Sequence, residues 1–282
     1  MAEERARRAK EMTEEAINEA EVAMKANREL TAKVVDLQAG FQALTDEEIL
    51  REFTTLHHDV VQWSFSHFQS PTTPDGDTLG SSQGGDTLDL IAVRLGLSTS
   101  IYNEVLKHHI VGEGSAESAY LRDVDMEVQK QCSTRTAHHW RGATSMVAFS
   151  LNRGKMEAMV IDLVNQMEET FGHRSHTASK RRTHQLRGLI WRCIDLKQKL
   201  EVQYDTYIFL STSREMPFDE FRMLSSSEIN ARNSKVVCSL WPGLVKLSST
   251  GDTFVVEKEL VMTDHEECVV WESESTEYAG LL

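Results

Sequence analysis

The side chains best suited to chemistry in this 282-residue chain are its 11 histidines and 4 cysteines. His138-His139 follow Cys132 closely, and His173-x-x-His176 precedes His184. Tetrahedral zinc needs three or four converging ligands, usually drawn from close-spaced pairs. Gly172 and Ser175 interrupt the helix that would align His173 with His176, and Arg174, Lys180, Arg181 and Arg182 would repel a cation there. The doublets His57-His58, His108-His109 and His138-His139 place their rings about 100° apart on a helix and make no chelate by themselves. The expectation is surface or helix-edge histidines, with no metal and no cofactor.

Nucleophilic chemistry has no better signature. No serine stands in a G-x-S-x-G elbow, and neither a G-x-x-x-x-G-K-[ST] nor a G-x-G-x-x-G phosphate cradle is present. A Cys/His pair assembled in space stays open, because such pairs are not adjacent in sequence. Cys132, Cys193, Cys238 and Cys268 form no C-x-x-C pair, and reduced, mostly buried thiols are expected. The chain therefore reads as more a non-catalytic protein than an enzyme. A hydrolase or transferase with an unrecognised site is the alternative.

Charge is the most uneven property. His173 to Lys199 carries eight cations against the single acid Asp195, a net +7 that leaves −21 elsewhere in a chain totalling −14. From Asp264 to the last residue there are six carboxylates and no Lys or Arg. The basic run has three readings: the solvated face of a helix, a dock for an acidic surface (the acidic tail or a partner), or a nucleic-acid or nuclear-import patch. The acidic total and the lack of interleaved aromatics before Trp191 disfavour nucleic acid. Arg181, Arg182 and Arg187 are the candidate partner contacts in this run.

The elements that must position these groups follow from hydrophobic period. Ala6, Ala9, Thr13, Ala16, Ala20, Ala23, Asn27, Leu30, Val34, Leu37, Phe41 and Leu44 recur at spacings of three and four, the seam of a coiled coil. Asn27 falls on an a position, where a buried amide can fix register against a parallel partner. Asn27, Leu30, Val34 and Leu37 are the candidate self- or partner-binding residues of this helix. Alanine buries little area, so a seam that merely packs on its own domain, or a lone helix, is the plainer reading.

Thr45 with Glu48 forms a capping-box pattern opening an amphipathic helix on Ile49, Phe53, Leu56, Val60, Trp63 and Phe68, with Phe65 on a second buried face. Pro71 to Gly85 is rich in Pro, Gly, Ser and Asp and reads as a linker. Helical spacing returns over 86–110, broken at Gly96 with Ser98 capping the next helix. It continues over about 115–131, 136–151 and 154–171, then in the stripe Leu186, Leu189, Cys193, Leu196 and Leu200. Residues 235–241, 242–247, 252–262 and 267–271 are β-branched runs predicting two to four antiparallel strands, with a turn at Ser249–Asp252.

Several short words resemble a known set. Trp63-Ser64-Phe65-Ser66-His67-Phe68, then Trp140-Arg141-Gly142-Ala143-Thr144, then Phe218-Asp219 before Arg222-Met223, then Pro242-Gly243-Leu244-Val245-Lys246 occur in this order. Residues 41–262 in this respect resemble a widespread set of uncharacterised filamentous-fungal proteins with a coiled-coil N-terminus. The resemblance implies a helical body with a C-terminal PGLVK-type element and carries no catalytic residues. Leu240-Trp241 departs from the smaller pair more usual before that proline.

The expected fold is mainly α: a coiled-coil-like helix (1–44), an amphipathic docking helix (45–70), a flexible linker or loop (71–85), a helical domain (86–234) and a short β element with an acidic tail (235–282). The first residues lack the apolar core of a signal peptide, and no stretch approaches 18 consecutive apolar residues. A cytoplasmic, non-secreted interaction or scaffold protein is the expectation, bound to a protein partner or to itself through the N-terminal helix and not to a membrane. A nuclear regulator using residues 174–199 is the alternative.

Overall fold

The computed structural model describes residues 24–25, 44–69, 83–112, 114–226, 231, 233–248 and 252–264. Met1–Ala43 form one unit and Leu44–Leu282 another. The seam residues Asn27, Leu30, Val34 and Leu37 lie outside the described residues, as do most of the 71–85 stretch and the run at 267–271.

Thr45 starts helix α1 (Asp46–Phe68) through a full capping box. Its hydroxyl accepts from Glu48 N at 3.2 Å, and the Glu48 carboxylate accepts from Thr45 N at 2.8 Å. The predicted face of Ile49, Phe53, Leu56, Val60, Trp63 and Phe68 is buried. Phe65, expected inside on a second face, is 37% exposed, because α1 is covered on one side only at that turn.

Helix α2 (Gln83–Ile101) takes in the last three residues of the expected linker and runs straight through Gly96, the position read as a helix end. The glycine serves packing: a Cβ built there would lie 2.8 Å from the Phe171 ring. A π-helical turn (Tyr102–Leu106) follows, with Val105 and Leu106 buried.

Helix α3 (Ser115–Gln131) matches expectation. Helix α4 (Thr134–Phe171) joins the two segments expected at 136–151 and 154–171 into 38 residues. Gly154 lowers helix stability by only about 1 kcal/mol relative to alanine, too little to break a helix with Phe149 buried before the glycine and Met156, Val160, Leu163, Met167 and Phe171 buried after it. After a 3₁₀ turn (Gly172–Arg174), helix α5 (Ser179–Glu201) carries the predicted stripe. Leu186, Leu189, Cys193, Leu196 and Leu200 are all at most 3% exposed, joined by Ile190 and Ile194, so α5 is the central strut of the helical layer.

Among the described residues six strands follow: β1 (Thr206–Leu210), β2 (Met223–Ser225), β3 (Val236–Trp241), β4 (Gly243–Leu247), β5 (Thr253–Glu257) and β6 (Glu259–Thr263). They make two three-stranded sheets, β1-β4-β5 and β2-β6-β3. The first is antiparallel throughout, with Tyr207 opposite Lys246 and Val245 opposite Val255. In the second, β3 and β6 are antiparallel while β2 and β6 run parallel, which the sequence reading did not anticipate.

The single run read at 252–262 splits at Lys258 into strands of different sheets, and β3 gives way to β4 at Pro242, which has no N–H to continue a ladder. The two corners touch. A Cβ on Gly243 would lie 2.9 Å from Glu259 N, so the glycine of the PGLVK word permits the crossing. β1 and β2 were missed: the first follows a helix directly, and the second is three residues long.

The helices cover one face of the strands, as an otherwise marginal sheet needs. Phe53 of α1 meets Phe209 and Trp241 at ring-centroid distances of 5.5 and 5.4 Å. Asp46 in the first turn of α1 accepts from Tyr207 Oη and from Lys246 Nζ, both at 2.7 Å, tying that turn to β1 and β4. Those two partners hold the Asp46 carboxyl below its ordinary range, Lys246 foremost. No helix among the described residues is long and apolar enough to cross a membrane.

Candidate interaction groove

The run of eight cations is mostly neutralised by tertiary contacts. Arg187 pairs with Glu157 of α4 at 2.8 Å and Arg192 with Asp59 of α1 at 2.5 Å. Lys197 pairs with Glu201 at 2.5 Å, and Lys199 meets both Glu52 (3.0 Å) and Asp195 (3.1 Å). Arg174 packs against its neighbour, donating to His173 Nε2 at 3.2 Å.

Arg182 overturns the expectation of a partner contact. It is 3% exposed, clamps Glu168 with two donors, donates to Thr177 O at 2.8 Å and lies over the Phe68 ring. A guanidinium so enclosed has no surface left for another protein. Position along α5 decides this: Arg182 shares the inward side with Leu186 and Leu189, whereas Arg181 points outward.

Lys180 and Arg181 pair with no carboxylate among the described residues. Both line a groove of about 690 Å³ between α4 and α5, together with His184, Arg187 and Thr183. Its floor is apolar: Ile161 and Val164 from α4 and Ala178 from the start of α5. Ile161 is 43% exposed, and the same outward face of α4 carries Val147 and Leu151 at 58% and 78%. Positions 147, 151, 154, 158 and 161 follow the spacing of one helix face, opposite the buried Met156 and Leu163.

The rim is held in place from α1. His67 is 1% exposed, with Nε2 2.7 Å from Gln185 Oε1 and Nδ1 2.6 Å from Thr177 Oγ1. Because an amide oxygen only accepts, Nε2 carries the proton and Nδ1 accepts from the threonine hydroxyl. Burial pushes the His67 pKa down, consistent with this neutral form. His67 O also accepts from Ser175 Oγ and His176 N, so the turn feeding Lys180 and Arg181 is fastened to the end of α1.

A smaller crevice between α1 and α5, lined by Arg51, Glu52, Leu56, Arg192, Asp195 and Lys199, has its main charges already matched by the pairs above. The α4–α5 groove differs in its exposed apolar surface, Ile161 at 43% against 5% for Leu56 in the crevice, beside two open cations.

A second cluster of ionisable groups is buried between α3, α4, α5 and the turn after the π-helix. Glu201 takes Lys197 and faces His109 Nδ1 at 3.5 Å. Arg141 donates to Thr206 Oγ1, Gln203 O and Tyr204 O. Asp125, 5% exposed, accepts from Gln129 Nε2 at 2.7 Å, and its other oxygen has no hydrogen-bond partner among the described residues. Burial raises the Asp125 carboxyl and lowers His109, the latter against the pull of Glu201. The Arg141 contacts fix the α5–β1 turn, and Ser118 Oγ of α3 accepts from His109 N at 2.8 Å, tying α3 to the turn after the π-helix.

Sequence reasoning missed this cluster because its members come from four elements far apart in the chain. It also missed Lys180, His184 and Ile161 as groove residues, although Lys180 was visible in the basic run. The 4-3-4-3 pattern of apolar residues on the wrong side of α4 was the signal that could have found Ile161.

The histidine doublets divide as packing dictates. His57 stacks on Trp241 at 5.3 Å while His58 is exposed, and His109 meets Glu201. No group of three His, Cys, Asp or Glu among the described residues could hold a metal ion. Cys132, Cys193 and Cys238 form no disulfide among the described residues, and burial pushes the Cys193 thiol up to about 12, far from a nucleophile at neutral pH. No family model, curated protein or solved structure matches the chain, so the resemblance to fungal proteins rests on its short words alone.

Proposed function

We propose that this chain is a non-catalytic interaction protein whose α4–α5 groove receives an acidic, partly apolar segment of a protein partner. The observation that carries this reading is the pair Lys180 and Arg181, without a described counter-charge beside the exposed Ile161, in a chain whose net charge is −14. Unmatched cations next to apolar surface suit a ligand that brings carboxylates on one side and aliphatic or aromatic groups on the other. Two open cations are few for a nucleic acid, whose affinity grows with the number of phosphates neutralised.

The test is fluorescence anisotropy of a labelled helical peptide with Glu on one face and Leu and Trp on the other. The wild-type chain binds it, and Lys180→Glu with Arg181→Glu weakens binding by about tenfold, the scale of two lost charge contacts. Equal binding by the variant, or preference for a single-stranded oligonucleotide, sinks the proposal.

The heptad run at 6–44 supplies, on sequence grounds, a second associating element. Asn27→Leu strengthens self-association in sedimentation if that seam pairs two chains in parallel. A wild type that stays monomeric at tens of micromolar, unchanged by the substitution, removes this part of the reading.

A further inference from the structure

The groove's chemistry can be compared with every stretch of the chain that lacks cations. Residues 264–282 hold Asp264, Glu266, Glu267, Glu272, Glu274 and Glu277 with no Lys or Arg. The carboxylates bracket an apolar triplet, Val269-Val270-Trp271, with two acids just before it and two just after. The groove offers the complement. Its floor of Ile161 and Val164 is apolar, and Lys180, Arg181 and His184 stand on the α5 side.

We infer that the occupant of the α4–α5 groove is this chain's own acidic stretch, residues 265–282, which follows Asp264 where that residue is bound to the Lys235 backbone, with Trp271 on the Ile161–Val164 floor and Glu272 and Glu274 against Lys180 and Arg181. The inference rests on the groove reading above and names its occupant. A tryptophan flanked by carboxylates suits a basic groove with an apolar floor, since aromatic anchors supply most of the binding energy and rim charges select the orientation. Tethering favours it further. A segment in the same chain acts at an effective concentration near millimolar, so contacts too weak for a free peptide still fill the groove. A partner's acidic segment then binds by displacing it, which makes the stretch a built-in competitor.

The experiment uses the full chain and two readouts. A Glu-specific protease cuts after Glu272, Glu274 and Glu277, and mass spectrometry follows each cut. Cleavage is slow in the wild type and about tenfold faster in Lys180→Glu with Arg181→Glu. Adding Glu272→Lys and Glu274→Lys to that variant restores tight binding of the labelled Trp271 region, read as quenching of a dye placed at Cys268. The second readout is the acidic peptide of the preceding section, which binds about tenfold more tightly when Glu272, Glu274 and Glu277 are all changed to Lys, because the groove is vacated.

Equal cleavage rates in wild type and groove variant, with unchanged circular dichroism, overturn the inference. If the peptide still binds in that case, the groove reading stands and only its occupant is wrong. If the peptide binds neither form, the groove reading itself fails.

Discussion

Arg182 and Glu168 form a two-donor pair, with Nε to Oε1 at 2.6 Å and Nη2 to Oε2 at 2.5 Å, and the arginine side chain is 3% exposed. Glu168 also accepts from Ser179 Oγ at 2.8 Å, in the first turn of α5, so one carboxylate joins the end of α4 to the start of α5. The pair thus sets the angle between the two helices that wall the groove. Despite the desolvation that would raise it, the Glu168 carboxyl is held below its ordinary range by hydrogen bonds from Arg182 and Ser179.

Arg182→Ala is expected to cost about 3 kcal/mol in chemical denaturation, because it strands a partly buried carboxylate. Replacing both members, Arg182→Met with Glu168→Leu, costs much less. A loss below about 0.5 kcal/mol for the single change shows that the pair is merely a surface contact.

Two glycines separate packing from propensity. Gly154→Ala meets nothing within 4 Å and should stabilise the protein by about 0.5–1 kcal/mol through helix propensity. Gly96→Ala drives a methyl to 2.8 Å from the Phe171 ring, itself 3% exposed, and should destabilise by about 1–3 kcal/mol. Thermal denaturation that moves both in the same direction contradicts the close approach of α2 and α4.

His57 predicts an acid limb. Burial lowers its pKa from 6.5 to about 4 while it stacks on Trp241. The unfolded chain binds the proton first, so this contribution is present above pH 6.5 and fades as the pH falls towards 4. The whole effect is at most about 3 kcal/mol, less what residual solvent contact screens. His57→Phe keeps a ring against Trp241 and should flatten the stability profile over that window. An unchanged slope between pH 6.5 and 4 assigns the limb to other groups.

Asp125 works in the opposite sense. Its folded pKa is raised above 3.8, chiefly by burial, so its ionisation above that pH opposes folding. Asp125→Asn should raise the thermal midpoint by about 3 °C at pH 8 and leave it unaltered near pH 3, where both forms are neutral. A lower midpoint at pH 8 means that attraction to Arg141 and His109 outweighs the burial.

Much of the helical layer was legible in the residues. The Thr45–Glu48 box, the α1 face and the Leu186–Leu200 stripe each rest on contacts within one helix or on a fixed period, and these are properties of local sequence. The break at Gly96 was misplaced because the glycine was read alone: the Phe171 ring opposite requires it, whereas Gly154, facing open space, is merely tolerated inside α4.

What the residues alone determined was a mainly helical body, a β element near its end and a surplus of cations on one segment. Which of those cations are available was decided only in three dimensions. Arg192 and Lys199 are matched by Asp59 and Glu52, more than a hundred positions away, while Arg182 is turned inward onto Glu168. A charge count along the chain adds neighbours in sequence, but electrostatic energy depends on distance in space. Folding therefore left Lys180 and Arg181 as the open pair beside the α4–α5 groove.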